Sequence, residues 1–345
     1  MAVTTRSPSL TSDPPAGAVE RARRADEATG AFFSTWVVVG LFVDGWAHNA
    51  GKPEDFWTPW HALLYSGFLT GMVTFGAVEV VRRRRGLVVP GDRLALAGFG
   101  LFAVGGAADM AWHTAFGVEE DLEALLSPSH LLLMGAGLLI VTAPVRGALG
   151  RPGAARSWAG FAPAAVGVTL AVAVASFFLQ FASALHVADP GAFAAGAGDG
   201  RQALAVVGVL VSTAFLSGAV VWVASRWPAP PAGTFTLVFG AVAVLMAALG
   251  GLDELVLAVP VAGGGALADA LLARRRDLRL VATAVPMAMW AAWLATYHAT
   301  RGLGWPAELT GGTVVLAGLV GYALTLLPVA APVGATAAAP SPTAR

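Results

Sequence analysis

Residues 31–80 read AFFSTWVVVGLFVDGWAHNAGKPEDFWTPWHALLYSGFLTGMVTFGAVEV, two apolar runs joined by a short polar loop. Each run has about the 20 residues that cross a bilayer as an α-helix. Asp44, His48 and His61 sit where the runs meet the loop, and Glu54 and Asp55 lie within it. Ionisable side chains at membrane depth are costly and are kept where they serve a function. Fold and candidate chemistry are therefore written in the same stretch.

The hairpin recurs. Asp109-Met-Ala-Trp-His113 repeats Asp44-Gly-Trp-Ala-His48, and Ser127-Pro128-Ser129-His130 repeats Thr58-Pro59-Trp60-His61. Residues four apart share a helix face, so Asp44 projects with His48, and Asp109 with His113. Thr58 and Ser127 are N-cap types and Pro59 and Pro128 suit the first helical position, which puts His61 and His130 at the third. Each hairpin thus gathers one carboxylate and two imidazoles. A helix dipole disfavours a cationic histidine in its first turn, and a metal binds the neutral ring. Three protein ligands with an open position describe an exchangeable or reactive site, and this donor set suits copper, zinc or iron. Glu54, Asp55, Glu119, Glu120 and Asp121 are placed to orient the ligands or to concentrate cations. His186 and His298 lack the motif and read as hydrogen-bonded residues at the membrane interface.

The 345-residue chain is 57% hydrophobic and 12% charged, with mean hydropathy +0.70. A soluble domain is about 25% charged, so this is a polytopic membrane protein whose expected environment is the lipid bilayer. Twenty-one basic residues balance 21 acidic ones, and no bulk field argues for nucleic acid as a partner. Cysteine is absent, which excludes disulfides, thiolate metal sites and cysteine nucleophiles.

The expected fold is an all-α bundle of about ten spans, with eight to ten as the range: 31–50, 57–81, 93–116, 128–148, 159–187, 202–225, 233–256, 258–273, 280–300 and 310–330. The eighth is short and carries Gly263-Gly264-Gly265, so it is expected to be re-entrant or broken. Residues 1–30 and the tail after about 331 are expected to be disordered. Residues 31–148 form a four-helix metal-binding half, and 159–330 a second half serving as scaffold or partner surface. Basic clusters fall on alternate connections, from Arg21/Arg23/Arg24 to Arg274–Arg276 with Arg279. By the positive-inside rule both termini are cytoplasmic, and the histidines lie near the extracytoplasmic face of the plasma membrane.

Asp44-x3-His48-x12-His61, with Glu54-Asp55-Phe56-Trp57-Thr58-Pro59-Trp60-His61 ahead of its last ligand, resembles a copper-binding membrane component of the copper membrane monooxygenases, the particulate methane and ammonia monooxygenase family. His113-Thr114-Ala115-Phe116, Glu119-Glu120 and Pro128-Ser129-His130 are similar to that family's second site. The resemblance implies copper at Asp44, His48 and His61, with Asp109, His113 and His130 as the matching second set. The family usually has Asn where this chain has Asp109, and the spacing from His113 to His130 is longer here. The likeness covers residues 31–148.

The expected function is a copper-dependent, monooxygenase-like oxidoreductase, or its metal-bearing subunit, acting on a small apolar substrate with partner membrane subunits or as a homo-oligomer. One alternative is metal capture, transport or delivery; residues 36–43 and 94–108 contain no charge, which argues against a conducting path. Another is a zinc-dependent hydrolase with Glu54 or Glu119 as general base. A structural assembly protein is the remaining alternative.

Overall fold

The structure is a computed structural model that describes residues 16–53, 57–84, 92–117, 121–151, 153–274 and 277–328. They form α1 (Ala16–Asn49), α2 (Pro59–Arg84), α3 (Asp92–Phe116), α4 (Asp121–Leu126), α5 (Pro128–Val141), α6 (Ala143–Leu149), α7 (Trp158–Phe178), α8 (Asp199–Arg226), α9 (Thr234–Ala248), α10 (Ala258–Arg274), α11 (Leu278–Arg301) and α12 (Ala307–Leu324), with no strand among the described residues. Nine stretches there are long and apolar enough to cross a membrane: α1 from Arg23, α2, α3, α5 with α6, α7, α8, α10 with its preceding turn, α11 and α12. The chain is a multi-pass helical membrane protein.

The segment that falls short is the seventh, not the eighth. α9 has 15 residues and stops before Gly250-Gly251, where Gly251 has φ +72°. Its start is delayed because the Asp269 carboxylate of α10 accepts from Phe235 N, Thr236 N and Thr236 Oγ1 at 3.2, 3.0 and 2.8 Å, capping the helix from outside. The glycine run expected to break the eighth span is helical. A methyl group on Gly265 would lie 2.3 Å from the Phe235 carbonyl oxygen, so the missing side chain lets α9 and α10 close on each other.

Two further expectations change. The N-terminal stretch is helical from Ala16 rather than disordered to residue 30. Ala, Arg and Glu are strong helix formers, Glu20 pairs with Arg24 one turn on, and buried Glu27 pairs with buried Arg151. Residues 1–15 and the tail from 329 lie outside the described residues. The fourth span is interrupted at Thr142: Pro144 has no N–H, and its ring crowds the carbonyl four residues back, so α6 starts afresh.

α7 is the most buried of the spans and packs against α1, α5, α6, α8 and α9. α1 pairs with α2, and α3 with α5. The two hairpins meet over Val37, Leu64, Phe68, Phe99 and Ile140, one buried apolar cluster drawn from all four helices. Gly40 lets α1 approach the Leu64 backbone of α2, where a methyl group would be 2.6 Å from Leu64 Cα. α2, α3 and α12 are the least buried spans, and their exposed Leu and Val side chains suit contact with lipid.

Candidate metal centre

Both ligand-bearing helices end in a glycine cap within a turn of the histidine. At the end of α1, Lys52 N donates to Ala47 O and Gly51 N to His48 O, with Gly51 at φ +60°, which is a Schellman motif. At the end of α3, Gly117 at φ +88° donates to His113 O. The next helices start on proline. Leu131 N donates to Ser127 O, and the Ser127 side chain accepts from His130 N at 3.3 Å. Ala62 N donates to Thr58 O in the same way, so His61 and His130 stand in the third helical position.

Each hairpin brings its three sequence-identified residues together. In the first, His61 Nε2 lies 3.1 Å from Asp44 Oδ1, and His48 Nε2 lies 3.8 Å from Asp44 Oδ2. In the second, His130 Nε2 lies 3.3 Å from Asp109 Oδ1, and His113 Nε2 lies 3.4 Å from Asp109 Oδ2. Each carboxylate spreads its two oxygens over two imidazoles. Tetrahedral coordination at bond lengths of about 2.1 Å puts donor atoms about 3.4 Å apart, and the four contacts bracket that value. All three donors of each set lie within 4.8 Å of one another. Asp44 Oδ1 is buried and accepts no hydrogen bond of normal geometry among the described residues, so the donor set fits a cation.

The far side of each ring is held too. His61 Nδ1 lies 2.9 Å from Thr58 Oγ1, and His130 Nδ1 lies 2.9 Å from Ser127 Oγ. His113 Nδ1 lies 3.2 Å from Gly117 O. A carbonyl only accepts, so His113 carries its proton on Nδ1 and presents Nε2 as a lone pair to Asp109. For His61 and His130 two proton arrangements satisfy the contacts. Either the hydroxyl donates to Nδ1 and Nε2–H points at the carboxylate, or Nδ1–H donates to the hydroxyl and Nε2 is free to ligate. The N-cap hydroxyls therefore support both metal-free and metal-bound rings.

Two supporting residues went unread in the sequence. Ser129 Oγ donates to Asp109 Oδ1 at 3.0 Å and lies 3.1 Å from Ser127 Oγ. The first hairpin has Trp60 at that position, and this difference between the repeats was the available signal. Tyr65, one turn after His61, stacks on its ring with centroids 5.7 Å apart and planes 7° apart. The two centres are neighbours: the charges of Asp44 and Asp109 interact, as do those of His48 with His113 and His130.

His186 and His298 join neither centre. His186 Nε2 is 3.4 Å from Asn49 Nδ2, and His298 Nδ1 accepts from Leu303 N at 3.3 Å, the structural roles expected for them. Burial pushes His186 below the ordinary histidine value, so it is held neutral. Glu54, Asp55, Glu119 and Glu120 lie outside the described residues, as does the side chain of Asp121. No protein family, curated protein or solved structure matches the chain.

Proposed function

We propose that the chain is a membrane metalloprotein holding two transition-metal ions, one per hairpin, and acting as a copper-dependent oxidoreductase or the metal-bearing subunit of one. The observation that carries this reading is the doubled set of one carboxylate and two imidazoles, with donor spacings near those of a tetrahedral site. Asp44, His48 and His61 would hold one ion, and Asp109, His113 and His130 the other. Bound copper supplies one-electron chemistry and an open position for an oxygen species. Likeness of residues 31–148 to the copper membrane monooxygenases puts copper ahead of zinc and iron, and a small apolar substrate ahead of a polar one. By the distribution of basic loops, both centres face the extracytoplasmic side of the plasma membrane.

The residues divide the work. Asp44 and Asp109 balance the ion's charge, Thr58 and Ser127 fix two rings, and the Val37, Leu64, Phe68, Phe99 and Ile140 cluster closes off the interior side. That apolar floor is also why capture and handover, rather than transport across the bilayer, is the second reading: a conducting path needs polar groups continuing through the membrane.

Metal analysis with EPR on the wild type, His61→Ala and His130→Ala tests the proposal. Each variant is expected to lose one of two copper ions and one component of the spectrum. Zinc without a copper signal would favour the hydrolase reading. Metal content unchanged in both variants would overturn the assignment of these residues.

A further inference from the structure

Asn49 follows the ligand His48 and closes α1. Its side-chain amide reaches three acceptors from the second half of the chain. Asn49 Nδ2 lies 2.9 Å from Gln180 Oε1, 3.3 Å from the Leu249 carbonyl and 3.4 Å from His186 Nε2. Gln180 is buried in the turn after α7, His186 lies in the loop that follows, and Leu249 ends α9. An amide NH2 has two protons, so three acceptors around it leave the group little freedom to leave. A neutral His186 can accept at Nε2, and the Met246 carbonyl of α9 lies against the same ring.

Backbone strain gathers at the same place. The two non-glycine residues with positive φ among the described residues are Val187 at 51° and Leu252 at 71°. One follows His186 directly and the other lies three residues past Leu249. A β-branched residue in that region is an outlier, and such conformations persist only where the surroundings impose them. Both loops are bent to present their acceptors to α1. Gly45 adds to the close fit, since a methyl group there would lie 2.4 Å from the Phe177 ring.

We infer that Asn49 is a positioning residue for the first metal centre, through which the second half of the bundle sets the direction of the His48 ring. The inference rests on reading Asp44, His48 and His61 as metal ligands. His48 is the ligand most in need of such support: its side chain is 35% exposed, the most of the six, and its 3.8 Å contact with Asp44 is the longest of the four. The second centre has no counterpart to the clamp among the described residues. Thr114, in the position of Asn49, hydrogen-bonds Met110 O of its own helix at 2.7 Å.

The test uses the full chain in detergent with the second centre removed by His113→Ala and His130→Ala. Copper affinity is measured by competition and the site by EPR, with and without Asn49→Leu. Asn49→Leu is expected to weaken copper binding at the first centre by about 10- to 100-fold and to change its spectrum, as loss of an orienting partner does. Asn49→Gln, which keeps the amide, is expected to restore part of the loss. In the reciprocal background, with Asp44→Ala and His48→Ala, Asn49→Leu is expected to leave the second centre unchanged. If Asn49→Leu fails to fold, Gln180→Leu removes an acceptor from the other side and is expected to act in the same direction. An unchanged first centre, or equal weakening of both, overturns the inference. A parent that binds no copper before Asn49 is touched overturns the metal reading itself, and this inference with it.

Discussion

The two hairpins carry the same three ligands but are supported by different parts of the molecule. α1 is seated against α7 with no room for a side chain at Gly45, and its last turn is tied to residues more than 100 positions away. α3 packs on α5 and α2, and Met110 and Phe116 on its outer face are exposed. The second centre compensates locally, with Ser129 donating to Asp109 from within its own hairpin. A duplicated motif therefore does not make duplicated sites: one centre is held by the whole bundle, the other by itself.

That contrast can be broken at three points. Gly45→Ala drives a methyl group into the buried Phe177 ring, and overpacking of this kind is expected to cost about 3 kcal/mol. Its counterpart in the second hairpin, Met110, is 51% exposed, and Met110→Ala is expected to stay within about 0.5 kcal/mol. Thermal unfolding in detergent compares them; equal stabilities would mean that α1 is not seated on α7. Next, Ser129→Ala removes the hydroxyl that orients Asp109, and copper titration is expected to show about tenfold weaker binding at the second centre alone. Equal affinities before and after would remove Ser129 from the account. The smallest effect is expected from Leu252→Gly. A left-handed conformation costs a non-glycine residue about 1–2 kcal/mol, so relieving it is expected to raise the unfolding midpoint slightly. A fall would show that the half-exposed Leu252 side chain, rather than its backbone, shapes the loop.

What could be read from the sequence was what short-range chemistry determines. Apolar run length gave the spans, and Thr-Pro and Ser-Pro gave the helix starts. Asp-x3-His then placed a carboxylate and an imidazole on one face, and the structure brings all six residues into two groups. The N-terminal stretch reads as disordered because its polarity outweighs the helix propensity of its Ala, Arg and Glu residues. The seventh segment reads as a full span because hydropathy does not register a carboxylate arriving from another helix to cap Phe235 and Thr236. The clamp on Asn49 depends on Gln180, His186 and Leu249 converging from separate segments, which no local pattern encodes.

The shortness of α9 reaches beyond the protein to the lipid around it. Fifteen residues at about 1.5 Å rise span about 22 Å, against a hydrocarbon thickness of about 30 Å. Leu237 and Val244 expose part of this helix, so lipid beside it meets a wall several ångström too low. Thinning the bilayer there costs a fraction of a kcal/mol per ångström, which gives the chain an energetic preference among membranes of different thickness. The elastic load falls on the helix whose end holds Asn49, and so the membrane's own dimensions bear on one hairpin and not on the other.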